Sequence, residues 1–197
     1  MKKSLLILMC FALWSIGANS QGFGKKLLGK MEFGLKAGAN YNDFTDAGFA
    51  TDPLVGFHGG VTVAYKFTDN LMIQQELLFS TQGAKVLSGP LGAQDLKLSY
   101  FSIPLLIKYR SEFGFYGEIG GQVSFKIDEQ VANFSGTDFA KKLDYGAIAG
   151  LGYQTKMGLG IGARYVYGLE KISDVNIGNL GGEMKNNSIQ ASLFFIF

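Results

Sequence analysis

Apolar and polar residues alternate along most of the chain, and the alternation falls into about eight segments bounded by turn or loop residues. A period of two is that of a β-strand, whose successive side chains point to opposite faces. The predicted strands are MEFGLKAGANY (31–41), GFHGGVTVAYKF (56–67), LMIQQELLFSTQ (71–82), LSYFSIPLLIKYR (98–110), FYGEIGGQVSFKI (115–127), LDYGAIAGLGYQT (143–155), GLGIGARYVYGLE (158–170) and NNSIQASLFFIF (186–197). The pattern predicts an all-β fold.

The joins between these strands alternate in length. Short turns are predicted at 68–70, 111–114 and 156–157, and longer loops at 42–55, 83–97, 128–142 and 171–185. This alternation is typical of a single antiparallel transmembrane β-barrel of about eight strands, with short periplasmic turns and four longer extracellular loops. No linker or shift in composition divides residues 31–197, so we expect one barrel domain with both termini in the periplasm.

The two faces of the predicted strands differ in charge. Odd-numbered residues form a face mainly of Leu, Ile, Val, Ala and aromatic side chains, which includes Gln75 but no charge. The strand charges lie on the even-numbered face and are Glu32, Lys36, Lys66, Glu76, Lys108, Arg110, Glu118, Lys126, Asp144, Arg164 and Glu170. A soluble lipocalin-like barrel would turn the apolar face inward to bind a lipid, whereas a membrane barrel would turn it outward.

Three observations favour the membrane arrangement. Aromatic residues cluster at strand ends around an aliphatic middle, as the girdles at the two membrane interfaces do. The predicted girdle comprises Tyr41, Tyr65, Phe101, Tyr109, Tyr145, Tyr153 and Tyr165. Glycine is concentrated on the charged face, which suits a narrow lumen, and the last strand ends on Phe197. The sequence therefore predicts lipid outside and charge inside.

Pro104 is the exception within the fourth predicted strand. Its parity places it in the lumen, and proline cannot donate a hydrogen bond to a neighbouring strand. Because a closed barrel has no edge strand, we expect a β-bulge or a missing ladder bond beside Pro104.

The first twenty residues, MKKSLLILMCFALWSIGANS, have two lysines, a short apolar core and a small-residue end. This is the pattern of a secretory signal peptide over 1–20, with an uncleaved anchor as the alternative and 21–30 as a periplasmic leader. Removing Lys2 and Lys3 leaves 16 basic residues of the 18, against 16 acidic residues, so the exported chain is neutral. Its composition gives no case for nucleic acid binding, and the only cysteine, Cys10, leaves with the signal.

Several segments also resemble a known family. LMIQQELLFS, SIPLLIKYR, FYGEIGGQVSF, LDYGAIAGLGYQ, ARYVYGLEKI and SIQASLFFIF resemble the small "porin family" outer-membrane barrels of Bacteroidota, the PorT-like group. The resemblance implies a place in the outer membrane of a Gram-negative cell. It also implies that Phe195 and Phe197 act as a C-terminal signal for the outer-membrane assembly machinery. Most members have no defined activity, so the family label "porin" is no evidence of transport.

No motif in the chain predicts an enzyme or a cofactor. The G-x-G-x-G that begins at Gly158 is one face of a strand, whereas a phosphate-binding loop needs a helix after it. His58 is the only histidine, and no recognisable spacing relates it to a nucleophile. The serines expected near it are Ser80, Ser88, Ser99 and Ser102. The acidic loop residues Asp43, Asp46 and Asp52 do not have the spacing of a calcium loop, so we predict no metal site.

The even-numbered charges are the strongest candidate for a site. Ionised groups in a narrow interior must pair. We expect Glu76, Lys108, Glu118 and Arg164 to form an ion-pair network in mid-barrel. The wider predicted set adds Asp144 and Lys66. The network either fills and stiffens the barrel or lines a polar path for small solutes or protons. An eight-stranded interior is nearly filled by side chains, which disfavours a porin-sized pore.

We therefore expect a structural or loop-mediated role without catalysis. A narrow porin is the alternative, followed by a barrel-embedded lipid-modifying enzyme and then the soluble lipid carrier. The expected partners are outer-membrane lipid, the assembly machinery and an extracellular partner reached through loops 42–55, 83–97, 128–142 and 171–185. We expect a monomer.

Overall fold

The computed structural model describes residues 28–45, 51–86, 94–130, 142–170 and 185–197. Glu32–Phe197 form one compact unit, the barrel. Its strands are β1 (Met31–Thr45), β2 (Thr51–Lys66), β3 (Leu71–Val86), β4 (Gln94–Arg110), β5 (Phe115–Gln130), β6 (Leu143–Gln154), β7 (Leu159–Gly168) and β8 (Lys185–Ile196). Each strand pairs antiparallel with the next, and β1 pairs with β8 to close the barrel. The predicted eight-stranded barrel is confirmed.

Burial follows the predicted parity along the strands, with exceptions such as the buried odd-numbered Asn187. Even-numbered side chains such as Leu106, Ile148 and Val166 are buried in the lumen. Odd-numbered apolar side chains such as Leu105 and Leu193 are more than half exposed on the outer surface. A continuous apolar outer face around a charged interior is the arrangement of a membrane barrel, and it excludes the lipocalin-like alternative. No helix among the described residues is long and apolar enough to cross a membrane.

The long-loop ends of β1 to β5 differ from the prediction. Residues 42–45, 51–55, 83–86, 94–97 and 128–130 were expected in loops, but they continue the strands. Their backbone groups complete ladders: 42–45 pair with 185–188, and 83–86 pair with 94–97. Main-chain hydrogen bonds between the strands stabilise these extensions. The remaining loop residues, 46–50, 87–93, 131–141 and 171–184, lie outside the described residues.

Pro104 interrupts one ladder only. Its register with Gln122 on β5 is continuous. Towards β3, pairing stops after Leu105 and resumes at Ser102 in the same register, so Ile103 and Pro104 have no partner there. The missing ladder contact is confirmed, and it follows from the absent N–H of proline. The alternative of a bulge at Pro104 is wrong, because the β3–β4 register does not shift there.

Two short turns share one construction. Gly114 donates its N–H to Ser111 O at 3.0 Å, and Gly158 donates to Thr155 O at 3.1 Å. Both glycines have positive φ, 95° and 90°, which other residues rarely adopt. These turns lie at the end of the barrel that we name the short-turn end, and the opposite end is the long-loop end.

Candidate functional site: the charged lumen

Glu76 lies at the centre of the lumen and is fully buried on β3. Its Oε1 is 2.8 Å from Lys36 Nζ on β1, and its Oε2 is 2.7 Å from Arg164 Nη1 on β7. Gln74 Nε2 donates to Glu76 Oε1 at 2.7 Å, and Arg164 Nε donates to Gln190 Oε1 at 2.7 Å. We name these five residues the central cluster. It joins four strands across the barrel interior.

Lys108 and Glu118 lie next to the central cluster but do not form an ion pair with each other. They face each other in the β4–β5 ladder. Lys108 Nζ instead lies 3.8 Å from the ring centroid of Tyr116 and 4.9 Å from that of Phe194, with Gln74 Oε1 at 3.4 Å. Glu118 is buried, and its Oε2 accepts no hydrogen bond. The four core residues of the predicted network thus lie in neighbouring positions, but only Glu76 and Arg164 form an ion pair with each other.

Lys66 was expected in the same network, and the structure places it elsewhere. It ends β2 at the short-turn end, where its Nζ lies 3.3 Å from Glu32 Oε1. Arg110 holds the same carboxylate through two bonds of 3.1 and 2.8 Å and donates to Gln154 Oε1 at 2.8 Å. We name these four residues the mouth cluster. Lys66 joins it because Lys66 lies at the end of its strand, whereas Glu76 pairs with Thr62, four residues further into β2.

Asp144 also lies outside the central cluster. It is the second residue of β6 and pairs with Ser124 towards the long-loop end. Parity placed it correctly on the lumen face, where it is buried. Parity does not give the height of a residue along the barrel axis, and strand stagger sets that height.

The mouth cluster forms part of a recess of about 770 Å³ at the short-turn end. Glu32, Arg110 and Gln154 line it, together with the turns around Phe113 and Met157. Both apolar side chains are about four-fifths exposed. The recess therefore combines a fixed guanidinium with an apolar rim.

His58 belongs to a second buried polar group, nearer the long-loop end. Its Nδ1 is 2.6 Å from Asn40 Oδ1, and its Nε2 is 2.8 Å from Ser192 Oγ. The Asn40 amide nitrogen donates to Ser80 Oγ at 3.0 Å and to two backbone carbonyls. Asn40 Oδ1 therefore accepts from the His58 Nδ1–H, which leaves Nε2 to accept the Ser192 hydroxyl proton. The group joins β1, β2, β3 and β8.

The order serine, histidine, amide resembles that of a nucleophilic triad. Ser192 is only 7% exposed inside the lumen, so the hydroxyl has little room for a substrate. Of the serines expected near His58, Ser80 joins the group through Asn40, and Ser102 instead pairs with Ser124 at 2.9 Å. Ser99 lies in β4 outside the group, and Ser88 is not among the described residues. Ser192 was missed because barrel closure brings it to His58 from 134 positions away.

All seven predicted girdle aromatics lie on the outer face, each half-buried or exposed. Tyr65, Tyr109 and Tyr153 are near the short-turn end, whereas Tyr41, Phe101, Tyr145 and Tyr165 are nearer the long-loop end. Some make aromatic contacts, as Tyr153 does with Phe115 at 5.1 Å between centroids. The two groups lie on either side of an aliphatic band.

Phe195 and Phe197 also lie on the outer face, with ring centroids 5.5 Å apart. Phe197 donates its N–H to Phe33 O at 2.8 Å, which ties the end of the chain to β1. The role of these two residues in assembly stays a prediction. Within the described part of the chain, no group of three or more His, Cys, Asp or Glu residues is placed to hold a metal ion.

The closed barrel, the apolar outer face and the charged interior define an outer-membrane β-barrel protein. The chain matches the family described as "Outer membrane protein beta-barrel domain" over residues 18–174, and it belongs to that family.

Solved structures share the fold at low identity. Neisserial surface protein A is 15% identical, with a TM-score of 0.52 over 85% of this chain and 97% of its own. OprG from Pseudomonas aeruginosa is 14% identical, with a TM-score of 0.51 over 84% and 95%. Ail, the attachment invasion locus protein of Yersinia pestis, was solved with the heparin analogue sucrose octasulfate. It is 15% identical, with a TM-score of 0.52 over 85% of this chain and 99% of its own. No curated protein matches the sequence.

Proposed function

We propose that this protein is a stiff outer-membrane scaffold that presents its long loops to an extracellular partner and performs no catalysis. The observation that carries the proposal is the central cluster, in which Glu76 ties β1 and β7 to β3 across the lumen with its carboxylate fully buried. An interior crossed by buried ion pairs suits a barrel whose specificity resides in its loops. In this proposal the short-turn end faces the periplasm.

The similar structures support a surface role. Ail is described as an attachment invasion locus protein, and Neisserial surface protein A as a surface protein. The segments 42–55, 83–97, 128–142 and 171–185, which comprise the predicted loops and the strand ends beside them, contain nine acidic and six basic residues, an excess of three negative charges. We propose that the partner is not a polyanion, in contrast to the sulfated ligand in the Ail structure. Immobilised heparin should therefore not retain the protein.

Photo-crosslinking in native membranes tests the loop role. A photoreactive residue is placed at Phe49, Ala93, Phe134 or Ile177, one in each loop, and at the lipid-facing control Leu105. The proposal predicts that at least one loop position forms a discrete adduct with a macromolecule on the cell surface and that Leu105 forms none. If adducts form at no loop position, the loop-mediated role is wrong.

The second candidate is a narrow porin, and the observation that favours it is the incomplete pairing of Lys108 and Glu118. The two candidate functions predict different conductance in planar bilayers. A scaffold with a filled lumen gives no steady open level, whereas a porin gives long-lived conductance steps that survive removal of the loops.

A further inference from the structure

Lys108 differs in its contacts from the four lumen cations of the central and mouth clusters. Lys36 and Arg164 contact Glu76, and Lys66 and Arg110 contact Glu32, each within 3.3 Å. Lys108 contacts two aromatic rings and one amide oxygen but no carboxylate. Its ammonium group is stabilised by the negative faces of the rings.

Glu118 lacks a hydrogen-bond donor at one of its carboxylate oxygens. The residue is 4% exposed, and its Oε2 has no hydrogen-bond donor. A buried carboxylate oxygen without a donor is destabilising. Glu118 lies directly across the ladder from Lys108. The flexible four-carbon stem of lysine lets its ammonium group reach this carboxylate by side-chain rotation, with no change in the backbone.

The rings of Tyr116 and Phe194, which the Lys108 ammonium contacts, lie between two polar regions of the lumen. Tyr116, Phe194 and Ile196 form one apolar cluster, and Ile196 lines the recess at the short-turn end. On the other side, Gln74 contacts both Lys108 and Glu76, so the central cluster begins there. The rings beneath Lys108 therefore separate the recess from the central cluster.

We propose that Lys108 and Glu118 form a two-position switch that controls whether water and small ions pass from the recess to the central cluster. With the ammonium on the rings of Tyr116 and Phe194, this aromatic layer is closed. With the ammonium at Glu118, the layer loses its cation, and the rings are free to separate. The switch goes beyond the scaffold role, which does not require it.

The test uses cysteine accessibility, because Cys10 is the only cysteine in the chain and lies in the predicted signal peptide. A single reporter, Leu106→Cys, is placed in the lumen, where Leu106 is buried two residues beyond Lys108 on β4 and pairs with Gln74 of the central cluster. The reporter is modified with a small cationic methanethiosulfonate reagent added at the short-turn end of the refolded protein in bilayers. Circular dichroism checks that every variant is folded.

The decisive comparison changes ring electronics and nearly preserves ring size. Pentafluorophenylalanine at position 116 removes the attraction for the ammonium, and Tyr116→Phe is its matched control. The fluorinated protein should be modified about tenfold faster than the control, because Lys108 moves to Glu118. Adding Glu118→Gln should abolish the increase. Equal rates in the fluorinated protein and its control, or an increase that Glu118→Gln leaves unchanged, would overturn the switch.

A second measurement needs no cysteine. The Lys108 side-chain protons should be shifted upfield in NMR spectra by the ring currents of Tyr116 and Phe194, and fluorination at 116 should reduce that shift. Lys66→Met, in the mouth cluster, should leave it unchanged. Unshifted Lys108 signals in the unmodified protein would overturn the closed position, whatever partner the loops bind.

Discussion

Arg164 Nη1 lies 2.7 Å from Glu76 Oε2, although the two residues are 88 positions apart. They come from β7 and β3, which are four strands apart in the eight-stranded barrel and therefore on opposite walls. This ion pair spans the lumen. Lys36, on the wall between them, holds the other carboxylate oxygen, so one acidic residue fixes the relative positions of three strands.

Glu76→Gln should destabilise the barrel by about 3–5 kcal/mol, because it leaves two buried cations without their carboxylate. Reversible urea unfolding in detergent or lipid measures the loss. The matched control is Glu112→Gln, which removes a negative charge from an exposed turn and should leave the midpoint nearly unchanged. Adding Lys36→Met and Arg164→Met to Glu76→Gln should restore much of the stability. Equal midpoints for Glu76→Gln and Glu112→Gln would show that the central cluster does not stabilise the barrel.

Gly162→Ala should destabilise the protein by about 1–3 kcal/mol through overpacking, because its Cβ would overlap the Tyr116 hydroxyl. Tyr116→Phe should rescue it. Gly152→Ala should resist the same rescue, because its Cβ would also overlap the Ile161 carbonyl oxygen, which belongs to the backbone. Gly117→Ala, whose Cβ would make only an ordinary contact of 3.9 Å with the Gly150 carbonyl oxygen, is the neutral control. The urea midpoints of the single and double variants are compared. If Tyr116→Phe rescued both alanine variants, or neither, the contacts expected of the added Cβ atoms would be wrong.

His58→Ala should cost about 1–3 kcal/mol, because Asn40 and Ser192 lose their partner in a buried site. Ser192→Ala removes one contact of the same group. A double-mutant cycle should give a coupling of about 0.5–3 kcal/mol between positions 58 and 192. Additive effects would mean that the hydrogen bond does not form. If His58→Ala or Ser192→Ala also removed an acyl hydrolase or transferase activity of the purified protein, the non-catalytic role would be wrong.

Leu105→Lys should destabilise the barrel by about 2–4 kcal/mol, because it places a charge on the lipid face in the aliphatic band. Tyr109→Lys lies at the aromatic girdle on the same face of β4, and its cost from the charge should be at most about 1 kcal/mol. Unfolding in lipid bilayers gives both values. A cost for Leu105→Lys no greater than that for Tyr109→Lys would contradict the placement of the membrane around residues 101–109.

Parity sorted the strand residues into two faces, and the aromatic residues at the strand ends and the glycines on the charged face predicted which face is inside. Lys108 and Leu106 are inside while Ile107 and Leu105 are outside, as the alternation in SIPLLIKYR indicates. The period of two is fixed by backbone geometry, and a hydrophobic surround stabilises only one register, so the pattern is readable without a structure.

Parity could not predict the height of a residue along the barrel axis or the residue at which each strand ends. Lys36 rather than Lys66 contacts Glu76, because the stagger of the strands decides which even-numbered residues share a level. Ser192 reaches His58 only through the closure of β8 on β1. Asn42 to Thr45 look like loop residues but pair with β8, because the backbone ladder holds them there.

The contact of each apolar side chain with lipid tests most directly whether the charged face is inside the barrel. Intermolecular NOEs between acyl-chain protons and the methyl groups of the unmodified protein report that contact. Strong NOEs are expected for Leu105, Ile107 and Leu193, and none for the lumen residues Leu106, Ile148 and Val166. Strong NOEs to the second group and none to the first would show that the charged face is outside, and would contradict both the barrel interior and the role proposed from it.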